Sequence, residues 1–190
     1  AHASWANADE IPGNDIDDDR NGYIDDIKGY NFVSDSPHLC QNPNQFNHGT
    51  AIVSIMAAKP IGSDTDVIGL CPNVKIITAV VMASKNEQDS WTAQGDIEKV
   101  VKGIEYVVDN GAKIVNISFG CYVSFEQLAE INKLPLWDKL EEQDVKLVCA
   151  AGNDNVNIDE YPVFPASLPR KNIIAVAATD AAGQPGSFYD

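Results

Sequence analysis

Apolar residues recur along this chain at two spacings, and each spacing predicts a type of element. Steps of three and four residues predict amphipathic helices over Thr50–Lys59 and over Ile97–Val108. Ser124 and Gln127 have the spacing of a capping box, which predicts a further helix there. We expect Pro135 to break that helix, with an amphipathic turn or two after it.

Short runs of β-branched and other apolar residues alternate with these helices and predict strands. The expected strands are Val74–Met82, Ile114–Ser118, Val145–Ala150 and Ile173–Ala178, with Tyr161–Pro169 as a loop before the last one. Strands that alternate with helices are typical of parallel βαβ units. The pattern therefore predicts an α/β fold with a mainly parallel sheet.

The first part of the chain differs, since Asp9–Asp35 is rich in Asp, Asn and Gly. This stretch is too short and too polar to bury a core of its own. We interpret it as an ordered loop insertion, at about 9–35, in one domain that spans residues 1–190. No internal repeat is evident.

Alternating oxygen-bearing residues in this insertion indicate a calcium loop. Asp17, Asp19 and Asn21 precede Gly22 as ligands do in the first half of such a loop. The expected ligands are Asp17, Asp19, Asn21, the carbonyl of Tyr23, and one of Asp25 or Asp26. Lys28 replaces the bidentate Glu of an ordinary EF-hand. The alternative is a solvated acidic turn, in which converging carboxylates would repel one another.

Composition excludes several classes of partner. With 190 residues, 44% of them hydrophobic, the chain can bury a substantial core. Its formal net charge of -15 at pH 7 would repel phosphate backbones and anionic lipid, so nucleic acid is not expected as a partner. No run approaches the roughly 20 apolar residues that span a bilayer, so membrane insertion is not expected either.

The four cysteines show neither CxxC nor CxxH spacing, which argues against a zinc site or a redox motif. Cys149 lies in an apolar strand and is expected to be a buried, small apolar side chain. Disulfide pairing stays open, because an even number of cysteines permits it and nothing at this length requires it.

Two segments that follow predicted strands point to a binding rim. In open parallel sheets, ligands bind beyond the carboxyl ends of the strands, where Ser118-Phe119-Gly120 and Ala151-Gly152-Asn153 lie. Both glycines permit either a positive φ or a close approach to another chain segment. His48 begins the first helix beside a flexible Gly and can act as a general base, although a lone histidine is more often structural.

Five segments, in order, resemble those of subtilisin-like serine proteases, the subtilases or peptidase family S8. They are His48–Thr50, Gly69–Ile76, Asn110–Gly120, Ala150–Asn153 and Ile173–Asp180. The acidic insertion and Gly186-Ser187-Phe188 extend the similarity over nearly the whole chain. The resemblance implies a three-layer subtilisin-like α/β fold with a mainly parallel central sheet, here incomplete at both ends. It also implies peptide-bond hydrolysis by an Asp, His, Ser triad.

The resemblance assigns roles to individual residues of this sequence. His48 would be the general base, and Asn153 would donate its side-chain amide to the oxyanion. Residues that would contact the substrate are Ser118, Phe119 and Gly120, as an edge strand that pairs with an extended peptide, and Ala150, Ala151 and Gly152, as one wall of the primary specificity pocket.

Two triad members of the family have no counterpart in these 190 residues. The sequence contains neither the Gly-Thr-Ser-x-Ala motif of the nucleophile nor the Asp-Thr-Gly motif of the acid. Neither Ser167 nor Ser187 is set up as a nucleophile, and nothing puts Asp35 on a strand end as a substitute acid. Asn47 and Ala51 also depart from the Gly and the second His that many members carry beside the base.

We interpret the chain as the central part of a calcium-binding, subtilisin-like serine endopeptidase domain that acts on peptide or protein substrates, and we expect this part alone to be inactive. The alternative is a non-catalytic, peptide-binding domain of the same fold. An incomplete core predicts exposed apolar surface, which a complementing segment or self-association would cover. The calcium loop favours an extracytoplasmic or secreted location.

Overall fold

The computed structural model describes residues 3–39, 48–60, 62, 68–84, 93–95 and 97–184. The chain divides into two compact units, Ala1–Asn110 and Gly111–Asp190. Among the described residues, no helix is both long enough and apolar enough to cross a membrane.

In its described residues, the first unit contains short strands and two helices. In chain order these are β1 (Gly29–Asn31), α1 (His48–Ala57), β2 (Thr78–Val80), β3 (Met82–Ser84), β4 (Ala93–Gly95) and α2 (Ile97–Asp109). β1 pairs with β2 in parallel, and β3 pairs with β4 antiparallel. The predicted strand Val74–Met82 is therefore wrong in its extent, because the chain changes its pairing partner at the buried residue Val81.

An aromatic cluster attaches the acidic insertion to this unit. The rings of Tyr23, Tyr30, Phe32 and Tyr106 lie with their centroids 4.8 to 5.6 Å apart. Tyr23 comes from the insertion, Tyr30 from β1, and Tyr106 from the buried face of α2. The insertion consists mainly of turns and bends, and β1 lies within it.

The second unit is built on a parallel sheet. Its elements are β5 (Ile114–Ile117), β6 (Cys121–Tyr122), α3 (Phe125–Ile131), α4 (Pro135–Glu142), β7 (Lys146–Ala150), β8 (Val163–Phe164) and β9 (Ile173–Val176). The parallel sheet has the order β5-β7-β9, and β6 pairs with β8 antiparallel. The three predicted strands are confirmed, whereas the expected loop Tyr161–Pro169 contains the short strand β8.

The ends of α3 and α4 follow from local chemistry. The capping box is confirmed, since the Gln127 amide donates to Ser124 Oγ (3.1 Å) and the Ser124 amide donates to Gln127 Oε1 (2.9 Å). Pro135 does not break α3, which already ends at Ile131. It begins α4 instead, because the first turn of a helix needs no amide hydrogen from that residue.

The core of the second unit is densely apolar. Trp137, Leu140, Val145, Leu147 and Phe164 are at most 1% exposed, and the rings of Trp137 and Phe164 meet edge to face. Cys149 is buried as predicted, and burial raises its pKa to about 12, so its thiol stays protonated at neutral pH. Cys71 and Cys121 are free and exposed. Cys40 lies outside the described residues.

The two faces of the parallel sheet differ in burial. Val115, Ile117, Leu147 and Cys149 point to one face and are buried. The other face carries Ile114, Ile174 and Val176, which are 69%, 48% and 49% exposed. Parallel sheets in proteins are ordinarily covered on both faces, so these exposed apolar side chains are an unusual feature of this unit.

Candidate active site and acidic loop

Three carboxylates converge inside the acidic insertion of the first unit. Carboxylate oxygens of Glu10, Asp19 and Asp26 lie within 4.8 Å of one another, and Asp26 is 0% exposed. Like charges this close and this well buried would repel one another strongly without compensation. Glu10 was missed by the sequence prediction because it precedes the alternating motif; its only signal was its position at the start of an acidic stretch.

Two carboxamide groups bridge two of these carboxylates, Asp19 and Asp26. Asn7 Nδ2 donates to Asp19 Oδ2 (2.9 Å) and to Asp26 Oδ1 (2.8 Å). Asn21 Nδ2 donates to Asp19 Oδ2 and to Asp26 Oδ2, both at 3.1 Å. The hydroxyl of Tyr106 adds a buried hydrogen bond of 2.6 Å to Asp26 Oδ2. The structure thus brings together Asp19, Asn21 and Asp26, three of the predicted calcium ligands.

The side chains of Asp17 and Asp25, also predicted as ligands, bind backbone amides elsewhere in the loop. Asp17 accepts the backbone amides of Asn21 and Gly22 at 3.1 and 2.9 Å. Asp25 accepts those of Gly13 and Asp15 at 2.6 and 3.1 Å. The Tyr23 ring packs in the aromatic cluster.

Glu10 acts in a similar way, because its carboxylate accepts the amides of Asp18, Asp19 and Asp25. In this loop, carboxylates therefore accept hydrogen bonds from backbone amides that would donate to backbone carbonyls in regular secondary structure. The carboxylate oxygens of Glu10, Asp19 and Asp26 are hard ligands of the kind that suit Ca²⁺, whereas Asn7 and Asn21 face Asp19 and Asp26 with their Nδ2 groups.

In the second unit, parallel pairing puts both predicted rim segments at one edge of the sheet. Ile117 at the end of β5 pairs with Cys149 in β7, so Ser118-Phe119-Gly120 and Ala151-Gly152-Asn153 leave adjacent strands at the same level. Ala150, the last residue of β7, is half-buried, whereas Asn153 is exposed. This arrangement can receive an extended chain along one segment and place a donor from the other beside it.

The two glycines of the rim serve different purposes. Gly152 has a φ of 102°, a conformation that favours glycine. Gly120 is needed for space, since a Cβ atom there would lie 2.5 Å from Cγ1 of Val163 in β8. The sequence left both explanations open for both glycines, and the structure assigns one to each.

A cleft of about 310 Å³ adjoins Asn153. It is lined by residues 151–158 together with Ala177 and Ala178. Asp154, which lines this cleft, accepts a hydrogen bond of 2.6 Å from the hydroxyl of Tyr122. That hydrogen bond is the main cause of a raised Tyr122 pKa. No sequence signal pointed to Tyr122, because the contact joins residues 32 positions apart.

His48 is the first residue of α1 in the first unit, and its side chain is exposed. Asp35, also in the first unit, accepts a hydrogen bond of 3.1 Å from the Tyr30 hydroxyl. In the second unit, Ser167 Oγ accepts the Val163 amide (3.0 Å) and donates to the Ile158 carbonyl (3.2 Å), which is a structural use of the hydroxyl. Asn47 and Ser187 lie outside the described residues.

Comparisons with known proteins agree on one family. A sequence model described as the subtilase family matches residues 13–189. Thermitase of Thermoactinomyces vulgaris is 33% identical over 162 residues, which are 85% of this chain and 50% of thermitase. The minor extracellular protease Epr of Bacillus subtilis (strain 168) is 31% identical over 161 residues, covering 84% of this chain and 22% of Epr.

Among solved structures, that of the prenylagaramide maturation protease PagA is similar, with a TM-score of 0.56 and 25% identity. The match covers 95% of this chain and 55% of that one. The chain thus spans about half, or less, of the length of these relatives. The comparisons confirm the predicted family and its mainly parallel α/β fold.

Replacing Tyr106 with Phe tests how much the buried hydrogen bond to Asp26 stabilises the first unit. Burial, and then the hydrogen bond to Asp26, raise the pKa of Tyr106 in the folded state, whereas an unfolded tyrosine ionises near about pH 10. The stabilisation is therefore complete below about pH 10 and is lost as the pH rises towards the folded-state pKa. Tyr106→Phe should lower the free energy of unfolding at pH 7 by about 1–3 kcal/mol, because Asp26 loses a donor.

The measurement is urea denaturation at neutral and alkaline pH, followed by circular dichroism. The variant should also lose less stability than the unmodified chain when the pH is raised. Tyr161→Phe, at a side chain that is 56% exposed, is the matched control. It should change neither the free energy of unfolding at neutral pH nor its decrease at alkaline pH. Equal stabilities for Tyr106→Phe and the unmodified chain at neutral pH would contradict the interpretation.

Proposed function

Because this chain belongs to the subtilase family, we propose that it is the central part of the catalytic domain of a serine endopeptidase that cleaves peptide bonds in proteins. The observation that carries the proposal is the sheet edge of the second unit, where Ser118–Gly120 and Ala151–Asn153 leave adjacent parallel strands. The cleft beside Asn153 supports it as well. The full protein would supply the nucleophilic serine and the triad aspartate, whose motifs do not occur in these 190 residues.

The proposed reaction assigns one step to each residue. His48 takes the proton from the serine hydroxyl as that oxygen attacks the scissile carbonyl, and later gives it to the leaving amine. The Asn153 side-chain amide donates to the negatively charged oxygen of the tetrahedral intermediate. Ser118, Phe119 and Gly120 bind the substrate backbone as an added strand, and the small residues Ala150, Ala151 and Gly152 leave room for a substrate side chain.

A fluorophosphonate probe, which reacts with activated serines, tests this proposal on the full-length protein. We expect labelling of the full protein, its loss in His48→Ala, and no labelling of the 190-residue chain. Asn153→Ala should lower turnover on the order of 100- to 1000-fold, as loss of such a donor does in subtilisin. Labelling of the 190-residue chain that depends on His48 would show that this part is active by itself.

The second candidate is a non-catalytic peptide-binding domain of the same fold. Asn47 and Ala51, which replace residues that many subtilases carry beside the base, favour it. His48 and Asn153 favour the enzyme, since a peptide binder needs neither a base nor an oxyanion donor. A full-length protein that binds peptides but is not labelled by the probe would support this second candidate.

We further propose that the acidic insertion binds calcium. The supporting observation is the convergence of carboxylate oxygens from Glu10, Asp19 and Asp26, because a divalent cation would offset the repulsion among three close carboxylates. The sequence motif adds Asp17, Asn21 and the Tyr23 carbonyl to the proposed ligands and needs only one of Asp25 or Asp26, of which Asp26 lies in this group. Bound calcium would hold the insertion in its native conformation and stabilise the fold.

Isothermal titration calorimetry of the chelator-treated chain tests calcium binding. We expect heat on addition of calcium and a higher melting temperature, since a ligand at 100 times its dissociation constant stabilises by about 2.7 kcal/mol. Asp19→Asn should weaken binding, whereas Asp159→Asn in the second unit is the matched control. Absence of heat at millimolar calcium would exclude the site.

The exposed apolar face of the β5-β7-β9 sheet supports a third proposal, that a complementing segment of the full protein or a second copy covers it. Ile114, Ile174 and Val176 are the side chains involved. A large exposed apolar patch ordinarily marks an interaction surface. An extracytoplasmic or secreted location, which millimolar calcium would suit, accords with these proposals and with the extracellular relative Epr.

Sedimentation velocity of the 190-residue chain tests whether this face associates. We expect concentration-dependent association that Ile114→Lys weakens, because the substitution places a charge on the apolar face. Ile11→Lys is the control with the same change in net charge, at a side chain in the acidic insertion that is 60% exposed. A chain that stays monomeric at every soluble concentration would rule out self-association through this face.

A further inference from the structure

The hydrogen bond between Tyr122 and Asp154 connects the two segments of the proposed active-site rim. Tyr122 lies two residues after Gly120, and Asp154 directly follows Asn153. The distance from Tyr122 Oη to Asp154 Oδ2 is 2.6 Å. A hydroxyl donor to a carboxylate at this distance is among the stronger hydrogen bonds of proteins. The contact therefore couples the segment that would bind substrate backbone to the one that would stabilise the oxyanion.

Tyr122 is anchored at a defined place although its side chain is 53% exposed. It belongs to β6, which pairs with β8 in the register Tyr122↔Val163 and Cys121↔Phe164. Val163 and Phe164 are 2% and 1% exposed, so the partner strand is part of the core. The tyrosine hydroxyl thus extends towards Asp154 from a strand that pairs with the core strand β8.

The Asp154 side needs such support more than the Tyr122 side does. Gly152 and Asn155, which flank Asn153 and Asp154, have φ angles of 102° and 52°. Two left-handed residues within four positions make this segment a sharp turn outside regular structure. All residues from Gly152 to Asn157 are exposed, so packing fixes the turn only weakly. The Tyr122 hydroxyl fixes the side chain of Asp154, the residue that follows the proposed oxyanion donor Asn153.

We propose that Tyr122 is a positioning residue, which orients the Asn153 amide by fixing Asp154. This inference rests on the proposed endopeptidase function. An oxyanion donor contributes to catalysis only when its amide is already aimed at the oxygen that becomes negatively charged. Without the hydrogen bond from Tyr122, the turn samples more conformations. The Asn153 amide then points at the developing oxyanion for a smaller fraction of the time. Substrate binding through Ser118–Gly120 should change little without this contact, because β6 stays paired with β8.

Kinetics of the full-length protein with a peptide substrate test the inference. Tyr122→Phe should lower kcat about tenfold, part of the 100- to 1000-fold effect of a lost oxyanion donor, with KM within about twofold of its original value. Asp154→Ala should have a similar effect. Asp154→Asn should retain most of the activity, because its side-chain carbonyl still accepts the hydrogen bond. Tyr161→Phe, at a tyrosine of similar exposure, is the matched control and should not change kcat.

A double-mutant cycle separates positioning from a general structural effect. If Tyr122 acts through Asn153, Tyr122→Phe should lower kcat no further in an Asn153→Ala background. The inference is overturned if Tyr122→Phe retains full kcat, or if its effect is equally large without the Asn153 amide. These outcomes differ from failure of the proposed function, in which the unmodified full-length protein would neither cleave peptides nor react with the fluorophosphonate probe.

Discussion

Parallel pairing of β5, β7 and β9 is the constraint on which the proposed active-site rim depends. Because neighbouring parallel strands run in the same direction, their carboxyl ends reach the same edge of the sheet. The register that pairs Ile117 with Cys149 brings the segments that follow β5 and β7, which are distant in sequence, to the same edge of the sheet. A shift of one residue would reverse the faces of a whole strand and move Leu147 and Cys149 out of the core. The same pairing that buries the core thus fixes the rim.

The acidic insertion depends on a different principle, the compensation of buried charge. Its backbone has few regular partners, so carboxylates such as Glu10 and Asp25 accept the backbone amides instead. The most buried of these groups, Asp26, receives hydrogen bonds from Asn7, Asn21 and Tyr106. The insertion is therefore joined to α2 both by this polar network and by the aromatic cluster. A cation-binding site in the acidic insertion would therefore be attached to the core of the first unit through these contacts.

Several parts of the structure followed from local sequence patterns. The amphipathic spacing of Ile97–Val108 and the capping box of Ser124 and Gln127 were sufficient to predict α2 and the start of α3. Other parts could not be predicted because they depend on pairing between distant residues. β8 has only two residues and exists because β6 lies beside it. The Tyr122–Asp154 contact joins two segments whose proximity depends on the order of strands in the sheet.

The sequence by itself determined the family, the alternation of strands and helices, and the residues of the rim, because these features lie in short contiguous motifs. It also indicated that the first part of the chain forms an acidic loop. Only the tertiary structure decided which carboxylates of that loop converge, since Glu10 joins Asp19 and Asp26 through folding of the chain. It likewise assigned positive φ to Gly152 and close packing to Gly120, because a glycine's role depends on its backbone angles and on the atoms that surround it.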